Sequence, residues 1–599
     1  MDRQAWIAVS LCVAGLIGWQ FYMASFPPPV APPPSVATAP ATPGPEATAA
    51  ASAPPLTPGT GADRATAPGP GAPAAEPSEP YEEKFEPLRN ESVELRLTTR
   101  GGGIAEAHLL NHAGEKGQGV VVLNSPDHPP IGALMEQPML RALPEFAVAR
   151  QGDGSVHFER RTAQGVVIQK RFFFQPTTEK KDNFLAEMQV DFRNEGPQPF
   201  AAADYFVALG STVPTHANDM TVYTRMVWFV NGKAKSTDVT WFPAQSYPII
   251  GMEKRGPQDF FRERVGGADW ASMSNQFFTT IITPLTAKAS EVWARPFDVK
   301  HPDGQTLLGL EGAMGMPGFQ LQPGQTNSLR FQIYAGPKIY NRLAQLQHDE
   351  AEIMNFGFFK LISQALLNFL NLLHGWVQNY GFAIILLTAC VKGVLWPLQN
   401  KANKSMRRMA ALAPKMQEMK AKYKDDPTRM NQEVMKLYKE HGVNPVGGCL
   451  PMMIQIPIFF GLFSMLGQAA ELRNASFLWV PDLSQPDTLF TIPGMGWIPI
   501  LGNAAGLPIN VLPILMGLSN VWLMKMTPNT GDAMQRRILM FMPLIFLVFC
   551  YNFAAALALY YTTQNLFTIL QLWHNQRQPM PVVATAPPAP TKRSRKGKS

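Results

Sequence analysis

The stretch GFAIILLTACVKGVLWPL, Gly381–Leu398, has the length and apolarity of a bilayer crossing, yet it holds one full charge, Lys392. Charge at membrane depth is expensive and by default marks a functional site. Nine residues separate Lys392 from Lys401, so at ~1.5 Å per residue it lies roughly 13 Å inside the basic end of the segment. A lysine stem covers about half that distance, so one reading is partial snorkelling to the interface. The other is a hydrated groove between helices. Polar company favours the groove. Thr388 lies one turn earlier on the same face, Gln455 sits inside another apolar segment, and Tyr560, Tyr561, Thr562, Thr563, Gln564 and Asn565 interrupt a third. No acidic residue accompanies them. A lone cation in such a groove attracts negative charge arriving from the cytoplasm, which is binding chemistry.

Bond-making chemistry has little support. There is no HExxH, P-loop, GxSxG or zinc-ligand spacing. The four cysteines, Cys12, Cys390, Cys449 and Cys550, all lie in apolar runs and form no CxxC. No catalytic residue, metal or cofactor is expected. The net charge of +7 is modest, and its placement matters more than its size.

These residues must be positioned by membrane helices, and the chain divides accordingly. Residues 1–26 carry the run Ala5 to Phe26, long enough for an N-terminal anchor and longer than the ~7–15-residue core of a cleaved signal. Residues 27–80 are rich in Pro, Ala and Gly and read as a disordered, partly polyproline linker. Residues 81–336 alternate in stretches such as SVELRLTT, GVVIQKRFFFQ and FLAEMQVDFRNEG, which predicts a large all-β domain of two packed sheets. Over residues 337–380 the period becomes helical. Phe356, Phe359, Ile362, Leu366, Leu370, Leu373 and Val377 form one face, with Lys360, Gln364, Asn368, Asn371 and Gln378 opposite. That pattern predicts an amphipathic helix in the membrane interface, or else a helix packed on the β-domain.

Residues 381–573 hold five apolar segments: Gly381–Leu398, Cys449–Ala470, Leu507–Met526, and two within the uncharged run Ile538–Trp573, divided near Tyr551-Asn552-Phe553. With the anchor this makes six crossings, five of them forming a core. The Lys/Arg-rich segment from Lys401 to Lys439, the loop with Lys525, Arg536 and Arg537, and the tail TKRSRKGKS belong on the cytoplasmic side. The loop Glu471 to Gly506 holds only Arg473 and belongs outside. Alternation then places both termini in the cytoplasm and the β-domain outside.

Residues 401–441 read as a helical hairpin, an antiparallel coiled coil with Asp426 as N-cap and Pro427 as first helical residue. Met406, Met409, Ala413, Met416 and Tyr423 make one seam; Met430, Val434, Leu437 and His441 make the other. The methionines Met406, Met409, Met416, Met419 and Met430 suit a surface that meets varied apolar partners, or simply fill the seam. The basic tail, residues 574–599, suits anionic lipid, RNA or an acidic protein.

The residues GFAIILLTACVKGVLWPL, APKMQEMKAKYKDDPTRMNQEVMKLYKEHGVNPVGGCLPMMIQIPIFFGLF, PILMGLSNVWLMKM, LMFMPLIFLVF and LALYYTTQNLFTILQ resemble the YidC membrane protein insertases. The likeness runs from about Phe356 to Trp573. The anchor, linker and β-domain are similar to the Gram-negative form. The resemblance implies insertion and folding of nascent inner-membrane proteins, alone or beside the Sec translocon and from translating ribosomes. It implies a hydrophilic groove open to cytoplasm and lipid, and a β-supersandwich periplasmic domain. Many members carry a groove arginine; Lys392 falls at that position and keeps the charge without the bidentate fork. Many also have a Pro-Ser-Gly-like turn before the last crossing, where this chain has CYNFAAA. A sugar-binding fold implies no sugar binding. The rival functions are a solute transporter or channel, which predicts inverted repeats not visible here, and an anchored periplasmic enzyme.

Overall fold

The computed structural model describes residues 81–577, apart from breaks at 140–141, 176–182, 247–252, 302–303, 424–425, 442–449, 499–500, 503–504 and 528–532. The expected anchor, the linker, Cys449, the segment's Lys424-Asp425 and the tail beyond Arg577 lie outside the described residues.

The alternating segments form strands because a two-residue period puts every second side chain on the core face. In Val93–Thr98, Val93, Leu95 and Leu97 are fully buried, while Glu94 and Arg96 reach outward. The largest sheet has nine antiparallel strands. Its order is Lys233–Asp238, Arg225–Val230, Trp270–Ser274, Phe278–Pro284, Thr326–Pro337, Leu185–Asn194, Val166–Phe174, Val156–Arg161 and Ala147–Arg150. A five-stranded sheet runs Phe261–Ala268, Ala289–Lys300, Thr306–Met316, Tyr205–Thr212 and Leu134–Met135. The two sheets meet face to face: the Met226 and Met273 sulfurs press on Gly312, where a Cβ would collide with them. A four-stranded sheet from Phe85–Arg89 to Val120–Leu123 joins the same apolar core. The segments GVVIQKRFFFQ and FLAEMQVDFRNEG pair with each other, with Lys170 opposite Val190.

Helices follow. We label them α1 Lys360–Val377, α2 Tyr380–Ala411, α3 Ala413–Lys422, α4 Pro427–Glu440, α5 Leu450–Leu466, α6 Val511–Met526, α7 Ala533–Cys550 and α8 Ala555–Gln576. Helix α1 buries Leu366, Leu367, Leu370 and Leu373 against α2 and α5, with Ser363 Oγ donating to Gly461 O at 3.0 Å. It therefore joins the helical core and does not lie on the β-domain. Its outer face is not purely polar: Leu361, Leu372 and Trp376 are exposed among Asn368 and Gln378.

Helix α2 does not stop at Leu398. It continues to Ala411 because residues 399–411 contain no Gly or Pro and are rich in good helix formers. The hairpin expected from Lys401 thus begins as an extension of α2, and Pro414 marks the start of α3. Asp426 caps α4 by accepting from Arg429 N at 3.0 Å, with Pro427 first in the helix. Helices α3 and α4 pack on each other. Met409 and Met416 are buried in this packing, and the Tyr438 hydroxyl points at Met416 Sδ (2.9 Å). Those two methionines fill the seam and are not surface residues. Met406, Met419 and Met430 remain partly exposed.

The long uncharged run breaks into α7 and α8 at residues 551–554, where Tyr551 Oη donates to Pro508 O (2.7 Å) and Asn510 Nδ2 donates to Tyr551 O (2.8 Å). Only α2 is both long and apolar enough to cross a membrane by itself among the described residues. Met453–Leu466, Val511–Met526 and Phe541–Cys550 are apolar but shorter.

Candidate functional site

Helix α8 carries a polar stripe. Tyr560, Gln564, Thr568, Gln571 and Asn575 follow one another at spacings of four, four, three and four, so they share one face. Helix α2 packs against that face. Lys392, only 5% exposed, donates from Nζ to Thr568 Oγ1 at 2.8 Å and to Gln399 Oε1 at 3.5 Å. Among the described residues no carboxylate pairs with it. One turn onward, Asn400 Oδ1 accepts from both Gln571 Nε2 (2.8 Å) and Asn575 Nδ2 (3.0 Å). Arg407 Nη1 then donates to Asn575 O at 2.6 Å. One turn the other way, Gln455 of α5 donates to Gln564 Oε1 (3.0 Å), with the Tyr560 hydroxyl at 3.5 Å. On the side of α6, Asn565 Nδ2 donates to Ser519 Oγ at 3.0 Å.

The expected site residues therefore separate into three kinds. Lys392, Gln455 and Tyr560 come together along α8. Thr388 is buried near them, but its hydroxyl is spent on Ile384 O at 2.7 Å in its own helix. Tyr561 turns away from the stripe, packing edge-on against Phe459 and tilted against Phe546. Thr568, Gln399, Gln571, Asn575 and Asn400 complete the site and escape a reading that stops at the cluster Tyr560–Asn565. Their signal is the helical period of polar residues continuing through Thr568, Gln571 and Asn575.

The chain between α5 and α6 hydrogen-bonds to the N-termini of α6 and α8. Asp487 Oδ2 accepts from Leu512 N at 2.6 Å, a carboxylate at a helix N-terminus where the exposed N–H groups favour it. Ala555 N and Ala556 N of α8 donate to Gln485 O (2.8 Å) and Leu483 O (2.9 Å). The same chain holds the β-domain: Gln485 Nε2 reaches His216 Nδ1 (3.0 Å) and Asp219 Oδ1 (3.1 Å), and Arg225 Nη2 donates to Gln468 Oε1 (3.3 Å). No group of three or more metal-ligating side chains exists among the described residues.

Comparison with known proteins decides the family. A "Membrane protein insertase YidC" of Histophilus somni (strain 2336) is 31% identical over 506 residues, covering 81% of this chain and 85% of that protein. The chain belongs to the YidC family of membrane protein insertases. A YidC insertase of Syntrophobacter fumaroxidans is 38% identical over 312 residues, covering 51% of this chain and 53% of the relative. The family model for the 60Kd inner membrane protein matches residues 372–581, and that for the YidC periplasmic domain matches residues 87–369. The YidC family thus accounts for the β-rich region and the helical region as a periplasmic domain and an inner-membrane part. A solved active YidC insertase with its first transmembrane domain resolved aligns over 83% of this chain and 94% of its own, at 17% identity and a TM-score of 0.34. YidC proteins are insertases and not enzymes.

Proposed function

We propose that this insertase receives nascent inner-membrane proteins in a groove along the polar face of α8, with Lys392 as its cationic contact. What supports this most is one observation: a buried lysine amine held only by a hydroxyl and an amide, with no carboxylate beside it among the described residues. A charge so placed costs free energy and is offset when an anionic group arrives. An acidic or polar tail of the substrate is that group.

The rest of the mechanism follows from the surroundings. Helices α2 and α5–α8 cross the inner membrane, joined by the N-terminal anchor as a sixth crossing. Both termini lie in the cytoplasm and the β-domain in the periplasm. Helix α1 lies in the interface at the outer face. Gln455, Gln564 and Tyr560 keep the groove wet, while Thr388 and Tyr561 shape its walls. The short apolar helices α5 and α6 thin the barrier locally. The substrate's ~20 apolar residues then enter lipid, and their transfer from water drives the process without a nucleotide. The α3–α4 hairpin, with Met406, Met419 and Met430 partly open, and the basic tail receive the ribosome and targeting factors. The tail also meets anionic lipids, and the Sec translocon works beside the core.

Vesicle insertion of a short single-span protein with an acidic outer tail tests this reading. Native chain, Lys392→Arg, Lys392→Ala and Lys392→Glu are compared at matched protein levels. Arg retains insertion and Ala and Glu lose it if the charge meets the substrate. Equal insertion by all four overturns the role of Lys392.

A further inference from the structure

The chain between α5 and α6 hides its charges and shows its apolar side chains. Of its charged residues, Arg473 and Asp487 are buried, the Glu471 carboxylate oxygens are sealed from solvent, and Asp482 is half-buried while accepting from Ser484. Its exposed large side chains are Leu478 (73% exposed), Trp479, Leu489, Phe490 and Trp497 (77%). A loop in water is expected to do the reverse.

Both parts of this apolar surface are fixed to the ends of apolar helices. Leu478 and Trp479 form the tight turn between Phe477 and Val480. That turn is clamped to the start of α2: Asn379 Nδ2 donates to Ser476 O at 3.0 Å, and Gly381 lies so close to the Phe477 ring that no Cβ fits. Leu489 and Phe490 belong to the hairpin of Thr488–Ile492 with Leu507–Asn510. Its second strand runs directly into α6, and Asn510 ties the junction to Thr488 Oγ1 (2.7 Å) and to Tyr551 O (2.8 Å). Trp497 lies in the connection of that hairpin.

We infer that this surface is inserted into the outer leaflet of the membrane. Tryptophan at the ends of crossing helices prefers the bilayer interface, where its ring is apolar and its N–H finds a polar partner. Trp479 Nε1 donates to Asp487 Oδ2 at 3.2 Å, and the exposed Leu478, Leu489 and Phe490 add apolar surface beside the two tryptophans. The helices it is fixed to carry exposed apolar side chains of their own near the same ends, Phe382 and Leu386 on α2 and Leu515 and Leu518 on α6, and no exposed charge interrupts the described part of this segment. The occupant is therefore phospholipid. The consequence is that the chain bonded to the N-termini of α6 and α8 is anchored from the lipid side as well as from the β-domain. The inference rests on the reading that α2 and α5–α8 cross the bilayer.

The test uses the full chain with its native cysteines replaced by alanine. Single cysteines are introduced as Leu489→Cys, Trp497→Cys, Val394→Cys on the exposed face of α2, and Lys233→Cys on the β-domain edge. Each is labelled with an environment-sensitive fluorophore in phosphatidylethanolamine/phosphatidylglycerol vesicles containing nitroxide lipids. The expected result is that shallow nitroxides quench positions 489 and 497 several-fold more than position 233, while deep nitroxides quench position 394. If 489 and 497 behave like 233 while 394 is quenched, the surface lies in water and the inference falls, with the crossings intact. If 394 is also unquenched, the crossing reading fails and takes the inference with it. Labels at 489 and 497 that are shielded from water yet unquenched by either lipid would mean burial against protein, which also overturns it.

Discussion

Lys170, one of the lysines buried in the β-domain, and Lys392, buried in the helical core, are held in opposite ways. Lys170 is fully enclosed between sheets, where Nζ donates to the backbone carbonyls of Gly101 (3.1 Å) and Gly132 (2.8 Å) and lies beside the Phe146 and Phe172 rings. Gly101 and Gly132 both adopt positive φ, at 68° and 81°, which suits glycine. These partners are main chain and cannot leave without undoing the turns. Lys392 is held by the side chains of Thr568 and Gln399, which can rotate. A buried amine with backbone partners is part of the scaffold. A buried charge with exchangeable partners is available to a ligand.

The largest expected effect separates these roles directly. Lys170→Ala leaves two carbonyls without a donor and a cavity in the core, costing about 2–4 kcal/mol. Denaturant unfolding of the detergent-solubilised chain, followed by β-domain tryptophan fluorescence, reads this loss. The same unfolding curve is unmoved by Lys392→Ala, whose effect falls on insertion. If Lys170→Ala leaves unfolding unchanged, the contrast breaks.

A second expectation concerns pH. Burial pushes the Lys170 amine down to about 7. Its folded-state value lies below its unfolded one, so the native state binds fewer protons between these values. The Lys170 contribution to stability is fully present above pH ~10.5 and is lost as pH falls toward 7, at up to ~1.4 kcal/mol per pH unit. Lys170→Met flattens that slope, measured as unfolding midpoints across this range.

Smaller effects sharpen the other half of the comparison. Asn400 joins Gln571 and Asn575 across α2 and α8, and Asn400→Ala removes both bonds for about 1 kcal/mol. Hydrogen exchange at the end of α8 rises accordingly. Thr568→Val frees the Lys392 amine of one partner at a cost of roughly 0.6 kcal/mol. Because the unpaired amine gains more from an arriving carboxylate, an acidic-tailed substrate is captured about two- to threefold better, read as initial insertion rates, while the β-domain tryptophan signal, remote from this site, keeps its unfolding profile. A Thr568→Val chain as inactive as Lys392→Ala would show that the partner, and not the charge, carries the site.

Local rules made much of this legible. The alternation in Val93–Thr98, the Asp426-Pro427 start of α4 and the break at Tyr551–Phe553 each rest on a few neighbouring residues, and the structure has them. Lys392 stood out because a charge in an apolar run conflicts with its surroundings. Less legible was where one element ends and the next begins. Helix α2 ran on to Ala411 because nothing between Leu398 and Ala411 opposes helix, although the hydropathy changes there. Met409 and Met416 turned inward because α4 packs over them. No property of methionine distinguishes a seam from a surface.

The sequence by itself determined that a β-rich region precedes a helical one and that Lys392 places a charge in an apolar run, since periodicity and apolarity act over a few residues. Only the tertiary structure decided which polar groups meet. Thr388 was spent within its own helix, Tyr561 faced aromatic rings, and Thr568, 176 residues from Lys392, became its hydrogen-bond partner. Such pairings depend on how helices far apart in the chain are rotated against one another, and that rotation is set by the packing of all their faces at once.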